Sequence, residues 1–217
     1  MLFRSETSRR IYQRMLTYTL NKIIKTLEIS LFLTLGVLLT HSLILTPLLM
    51  ILILFTNDFA TMSIATDHVS FSKRPERWNV RSLILTALPL AGLNLLLSLA
   101  VLVVGRTLIR LSPPQVQTLV FLTLVFSGQG MIYLVRERSH LWCSRPSLWL
   151  LLSSVTAVVV VGLLAVFGFL MTALSPVLVG GLLLGVLLYL LGVDFIKVSI
   201  FRHFGIHANS TPVGSKA

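Results

Sequence analysis

Cysteine is almost missing from this chain: Cys143 is the only one among 217 residues. One thiol excludes an internal disulfide and any site built from several thiolates. Acid is scarce as well, with 7 Asp and Glu against 18 Lys and Arg, and charged residues of both signs make up only 12% of the chain. A soluble domain of this size needs far more polar surface to cover one core, so a soluble enzyme is excluded. The net charge of +11 would suggest nucleic acid in a soluble protein. No basic face lies on a foldable soluble domain here, and no nucleic-acid partner is expected. Residues 1–15 are polar and basic, with no short apolar region and cleavage site behind them, unlike a secretory signal peptide. Internal repeats and low-complexity tracts are lacking too, and 208–217 reads as a short disordered tail.

Apolar sequence is abundant. Hydrophobic residues make up 55% of the chain, and mean hydropathy is +0.92. They fall in long runs. A helix of about 20 apolar residues, rising about 1.5 Å per residue, crosses about 30 Å of hydrocarbon. Lipid offers no partners for backbone N–H and C=O groups, which selects helices over open sheets. The expected fold is an all-α integral membrane protein, a bundle of about six transmembrane helices. The spans are placed at about 20–40, 47–65, 82–104, 116–135, 147–171 and 176–193. Prolines 47, 113, 114, 146 and 176 sit at or near the starts, where a missing N–H costs least. The corresponding domains are a cytoplasmic stalk segment (1–19), a six-helix transmembrane domain (20–193) and a cytoplasmic C-terminal tail (194–217). With an even number of spans, 16 basic residues fall on the side of the two ends, and only Arg106 and Arg110 on the other. The positive-inside rule then makes both termini cytoplasmic. Trp78, Trp142 and Trp149 fall near span ends, as an aromatic belt would.

Two acidic residues lie where hydrocarbon should be. Ionisable groups in a bilayer are costly and usually face a bundle interior or a polar cavity. Glu28 shares one helix face with Asn21 and Lys25, at spacings of three and four residues, and Thr17 extends the stripe. It is either a functional carboxylate or half of a local pair with Lys25. Asp58 has no basic residue within eight positions on either side, so its partner must come from another helix, a water or an ion. Asn57, Thr56 and Thr61 add oxygen ligands suited to protons or hard cations. The plainer alternative is an Asp held by interhelical hydrogen bonds. Asn94 and Gln129 are helix–helix glue or, together with Asn21 and Lys25, part of an ion pathway. Asp194, next to Lys197, is read as an interfacial pair, and Gly181 and Gly185 form a G-x-x-x-G that favours close helix packing. Cys143 carries no motif.

Residues 8–26, SRRIYQRMLTYTLNKIIKT, resemble the stalk and fifth membrane helix of P-type cation pumps, most closely the plasma-membrane proton pumps and their prokaryotic relatives. Residues 48–80 resemble the sixth membrane helix and the cytoplasmic loop after it. The Asn57-Asp58 pair, the Thr-Met-Ser-Ile run, Asp67-His68-Val69, Pro75 and Trp78 stand there in family order. Residues 192–207 resemble the exit from the tenth membrane helix. The likeness is specific in the first 80 residues and rests mostly on hydropathy in the third to fifth spans. It implies the C-terminal six-helix part of a pump, with Asp58 at the proton acceptor of the plant and fungal pumps. In the plant pumps the position of Glu28 is an arginine. A glutamate there leaves room for two facing carboxylates that hold a metal cation.

The sequence contains no D-K-T-G-T phosphorylation motif, no hinge motif of the G-D-G-x-N-D type and no glycine-rich phosphate loop. The chain alone is therefore expected not to hydrolyse ATP. No cofactor is expected in it, since the resemblance places ATP and Mg on cytoplasmic domains that these residues do not contain. The reading is the ion-translocating membrane module of a cation pump, the proton first among its ions, in the plasma membrane. Its expected partners are membrane lipid, a proton or small cation, and the N-terminal part of the pump as a separate chain. The alternatives are a non-catalytic remnant or accessory membrane subunit and, third, a free-standing six-helix carrier or channel. The ion-binding candidates are Asp58, Glu28, Asn57 and Thr61.

Overall fold

The structure, a computed structural model, describes residues 2–66, 80–137, 140, 141 and 146–203. Within them lie six long helices: α1 (Leu2–Thr40), α2 (Pro47–Ser63), α3 (Val80–Thr107), α4 (Pro113–Arg136), α5 (Leu148–Phe167) and α6 (Pro176–His203). A 3-10 turn, Ile64–Thr66, extends α2. All six are long and apolar enough to cross a membrane, and the protein is a multi-pass membrane protein. Pro47, Pro113 and Pro176 are the first residues of their helices. Thr46 caps α2 by accepting the Leu49 N–H, Ser147 caps α5 by accepting that of Leu150, and Gln115 at the start of α4 accepts from the Ser112 N–H and hydroxyl.

Three helix ends differ from the sequence expectation. No Gly or Pro interrupts residues 2–35, so the stalk segment and the first span are one continuous helix. α5 stops at Phe167 rather than near 171, because Gly168 takes a left-handed conformation (φ 70°) that ends the helix. α6 runs ten residues past 193, to His203. The polar residues that seemed to mark its end are paired inside the bundle.

α4 is the centre, buried along nearly its whole length, while the other five each present a broad face outward. α1 packs on α3 and α4, α2 packs on α4 and α5, which also touch each other, and α6 closes on α3 and α4. The three short connections lie at one end. Gln117 at the start of α4 donates to the Leu43 carbonyl of the α1–α2 turn, and a cavity there is lined by Thr46, Pro114 and Leu170. Polar side chains stitch α5 to its neighbours: Ser153 donates to Ser63 of α2 at 2.9 Å, and Tyr133 of α4 bonds Ser154. Such interhelical bonds matter in lipid, where no hydrophobic drive pulls helices together.

Gly181 and Gly185 do not make the close packing that their spacing suggested. A Cβ at either would meet open space. The tight glycines lie elsewhere: a Cβ on Gly130 of α4 would collide with Leu190 of α6, one on Gly128 with Lys25 of α1, one on Gly105 of α3 with Leu119 of α4, and one on Gly36 of α1 with Ile44. Trp149 is exposed at the start of α5, as a belt residue should be. Trp78, Trp142, Cys143, the 67–79 loop and the 208–217 tail lie outside the described residues.

Candidate functional site: a polar layer across the bundle

The polar stripe on α1 is real and faces inward. Gln13, Thr17, Asn21, Lys25 and Glu28 are all buried, at the three- and four-residue spacings that keep side chains on one helix face. Glu28 is fully buried and Lys25 is 5% exposed. The Lys25 ammonium donates to Glu28 Oε2 at 3.0 Å and to the Leu124 carbonyl of α4 at 2.8 Å. Glu28 also accepts from Asn94 Nδ2 (3.3 Å) and Ser98 Oγ (3.5 Å) of α3 and from Ser127 Oγ (3.3 Å) of α4. Four donors surround the carboxylate, which is what a buried charge needs to persist. Asn94, Ser98 and Ser127 lie near the middle of the spans Leu83–Thr107 and Pro113–Arg136.

Asp58 is placed differently. It lies near the middle of the Pro47–Thr66 span, but its side chain is 55% exposed. Its partner does come from another helix: Lys22 of α1 pairs with it. The neighbouring Asn57 points the other way, is buried, and sets its Oδ1 beside the slot at Gly128 that Lys25 fills. Thr61 spends its hydroxyl on the backbone carbonyls of Asn57 (2.7 Å) and Asp58 (3.1 Å), not on the carboxylate. Thr56 likewise bonds the Leu52 carbonyl. The sequence left room for two carboxylates facing each other around a metal ion. The structure instead gives each its own lysine, one inside the bundle and one at its edge. Among the described residues no three His, Cys, Asp or Glu side chains gather into a group that could hold a metal ion.

Asn94 joins the Glu28 cluster, whereas Gln129 donates to the Thr56 carbonyl at 3.4 Å. Three buried amide oxygens find no partner: those of Asn21, Asn94 and Gln129. Turning the Asn94 amide over would set its oxygen against the Glu28 carboxylate, and turning Gln129 would oppose two carbonyl oxygens. The orientations therefore hold, and at both residues the layer lacks a donor.

Asp194 and Lys197 do pair, but the pair is enclosed by the protein and not open to its surroundings. Both are fully buried and joined at 2.7 Å, and Asp194 also bonds His140 Nδ1 at 2.9 Å and the Leu141 N–H at 3.4 Å. The pair anchors the segment after α4 to α6. Lys22, Lys25 and Lys197 were counted as basic anchors at the cytoplasmic side. They lie within candidate spans, each bonded to a carboxylate. Without them the split expected from the sequence falls from 16 against 2 to 13 against 2.

Sequence reasoning missed Lys22, which the charge count absorbed, and Ser98, Ser127 and Gly128. A signal for Ser98 was available, since it stands one turn from Asn94. Nothing local marked Gly128 or the Leu124 carbonyl, which matter only through packing with α1.

No family model matches the chain. A protein of Methanocaldococcus jannaschii named as a cation-transporting ATPase is 32% identical over 139 residues, 63% of this chain and 17% of that protein. The plasma membrane ATPase of Zygosaccharomyces rouxii is 30% identical over 170 residues, and that of Kluyveromyces lactis 27% over 175, each match covering 75% of this chain and 18% of the relative. The chain thus spans less than a fifth of the length of these relatives. Over 63–75% of its length it is a distant homologue of a segment of the P-type cation-transporting ATPases.

Proposed function

We propose that these six helices are the ion-translocating membrane module of a P-type cation pump, and that the ion is the proton. Asp58 carries the reading. A carboxylate at mid-span, bridged to Lys22 of another helix and open on its remaining side, is costly to hold in hydrocarbon. Around it α2 exposes Ile51, Leu54, Phe55, Phe59 and Met62. The relatives are more than five times longer than the matched segment, and their further helices would cover this face and complete a polar cavity.

Charge supports the proton over a metal cation. Each carboxylate of the layer already has an ammonium partner. A metal ion would have to displace a lysine, whereas a proton needs only to neutralise Asp58 and free Lys22. In the plant pumps an arginine stands where this chain has Glu28. Lys22, six residues earlier on the same helix, restores a positive charge opposite Asp58. ATP and Mg would act on parts of the pump outside these 217 residues. The basic residues, still strongly one-sided, favour cytoplasmic termini, and the names of the relatives favour the plasma membrane.

The test is Asp58→Asn in the assembled pump. The expected result is loss of proton transport with all six helices still inserted, because the carboxylate is at the bundle edge and not part of its core. Transport at the normal rate by that variant would remove Asp58 from the mechanism.

A further inference from the structure

Lys25 is held in an unusual way. Its ammonium is buried at mid-bundle and touches oxygens from two helices: Glu28 Oε2 of α1 at 3.0 Å and the Leu124 carbonyl of α4 at 2.8 Å. Asn57 Oδ1 of α2 borders the same space, and so do the last two atoms of the lysine, Cε and Nζ. A Cβ on Gly128 would collide with Lys25 Cε and Nζ and stand 3.0 Å from Asn57 Oδ1. Every residue of α4 from Leu119 to Gln129 is buried, and Gly128 is where that wall gives way. An alanine at 128 would occupy the room taken by the ammonium. The space is therefore shaped for a small cation, with one carboxylate oxygen, one backbone carbonyl and a bordering amide oxygen from three different helices. The single carboxylate among these oxygens matches one monovalent cation, since one negative charge balances one positive charge.

We infer that the notch of α4 between Leu124 and Gly128 is a binding site for one monovalent alkylammonium-like cation, occupied in this protein by its own Lys25. The lysine is a tethered ligand. Its attachment makes the local concentration effectively permanent, so Glu28 never needs an ion from solution. The inference concerns the Lys25 side alone and is independent of whether Asp58 carries protons.

Shortening the tether exposes the site. Lys25→Ala deletes a propylammonium equivalent and leaves Glu28 buried with only neutral donors. In detergent micelles, with choline as the only cation, the full chain carrying Lys25→Ala is expected to unfold at a lower temperature than the unsubstituted protein. Ethylammonium or propylammonium chloride is expected to restore at least half of that shift, saturably, while choline at equal ionic strength restores none and the unsubstituted chain does not respond. Restoration by choline as well, or no response to any amine, would overturn the inference.

A second measurement does not depend on recovering that variant. Gly128→Ala should lower the unfolding temperature of the unsubstituted chain by driving out the ammonium. It should do so far less in Lys25→Ala/Glu28→Gln, where charge and tether are both gone. An equal shift in the two backgrounds would mean that Gly128 serves ordinary helix packing, and the notch would be no site.

Discussion

Replacing Asp194 with Asn tests the second buried ion pair. The substitution keeps the side chain's size, so it changes charge and hardly changes packing. In the structure Asp194 and Lys197 are both fully buried and 2.7 Å apart. At an effective dielectric of about 20, two unit charges at that separation attract by about 6 kcal/mol. Most of this is offset by the several kcal/mol needed to take each ion out of water. The intact pair is therefore worth little net, while breaking it is expensive. Asp194→Asn leaves the Lys197 ammonium in the bundle without its carboxylate and should cost about 3–5 kcal/mol. Lys197→Met should cost less, because Asp194 keeps the His140 ring and the Leu141 N–H as partners. The double variant Asp194→Leu/Lys197→Met removes both charges and should cost no more than about 2 kcal/mol, far below the sum of the singles. Cooperative loss of helicity on titrating SDS into mixed micelles measures all four proteins. A double variant costing the sum of the two singles, or Asp194→Asn within about 1 kcal/mol of the unsubstituted chain, would refute the reasoning.

Two packing predictions need the same assay. Gly130→Ala places a methyl group against the Leu190 side chain and should cost about 1–3 kcal/mol as overpacking, with Leu190→Ala relieving part of it; equal cost in both backgrounds would exclude that contact. Gly168→Ala must hold φ near 70° with the Ala173 Cβ 3.0 Å from the new carbon, and should cost about 1–2 kcal/mol; a neutral result would mean that the α5–α6 turn readjusts.

The number of helices and most of their ends were legible because the signals are local. Apolar runs set the lengths, and Pro47, Pro113 and Pro176 set three starts. The inward face of α1 was legible too, since Asn21, Lys25 and Glu28 repeat at helical spacing. The partners were not legible, because pairing across helices depends on which faces meet. Lys22 differs from Lys25 by three residues and in sequence looks like another basic anchor. Only the position of α2 assigns it to Asp58. Gly181 and Gly185 carried the stronger sequence pattern for close packing, yet Gly105, Gly128 and Gly130 do that work between helices, all at contacts with α4, because α4 and not α6 is surrounded. Asp194 was misread for a related reason. A charged pair at the end of an apolar run looks the same whether it reaches water or is enclosed by a segment returning from α4.

The two lysine–carboxylate pairs on the α1 side divide one problem into two. Lys22 and Lys25 are three residues apart, so their directions around the helix differ by about 60°. That angle turns Lys25 into the bundle and leaves Lys22 at its edge. Inside, Glu28 has four donors and Lys25 sits in a fitted notch, so neither charge can leave without a large cost in hydrogen bonds. At the edge, Asp58 has one partner and an open side. A cation pathway needs one charge that can be neutralised and released cheaply. Surroundings that hold every other charge fixed keep the site from collapsing when that happens. On the proposed function, the pair with fewer bonds is the one to change state, which would put Glu28, despite its deeper burial, in the fixed part of the layer and Asp58 in the exchanging part. The opposite assignment would require Glu28→Gln to abolish transport while Asp58→Asn left it intact, a pattern that transport assays on the two variants would distinguish directly.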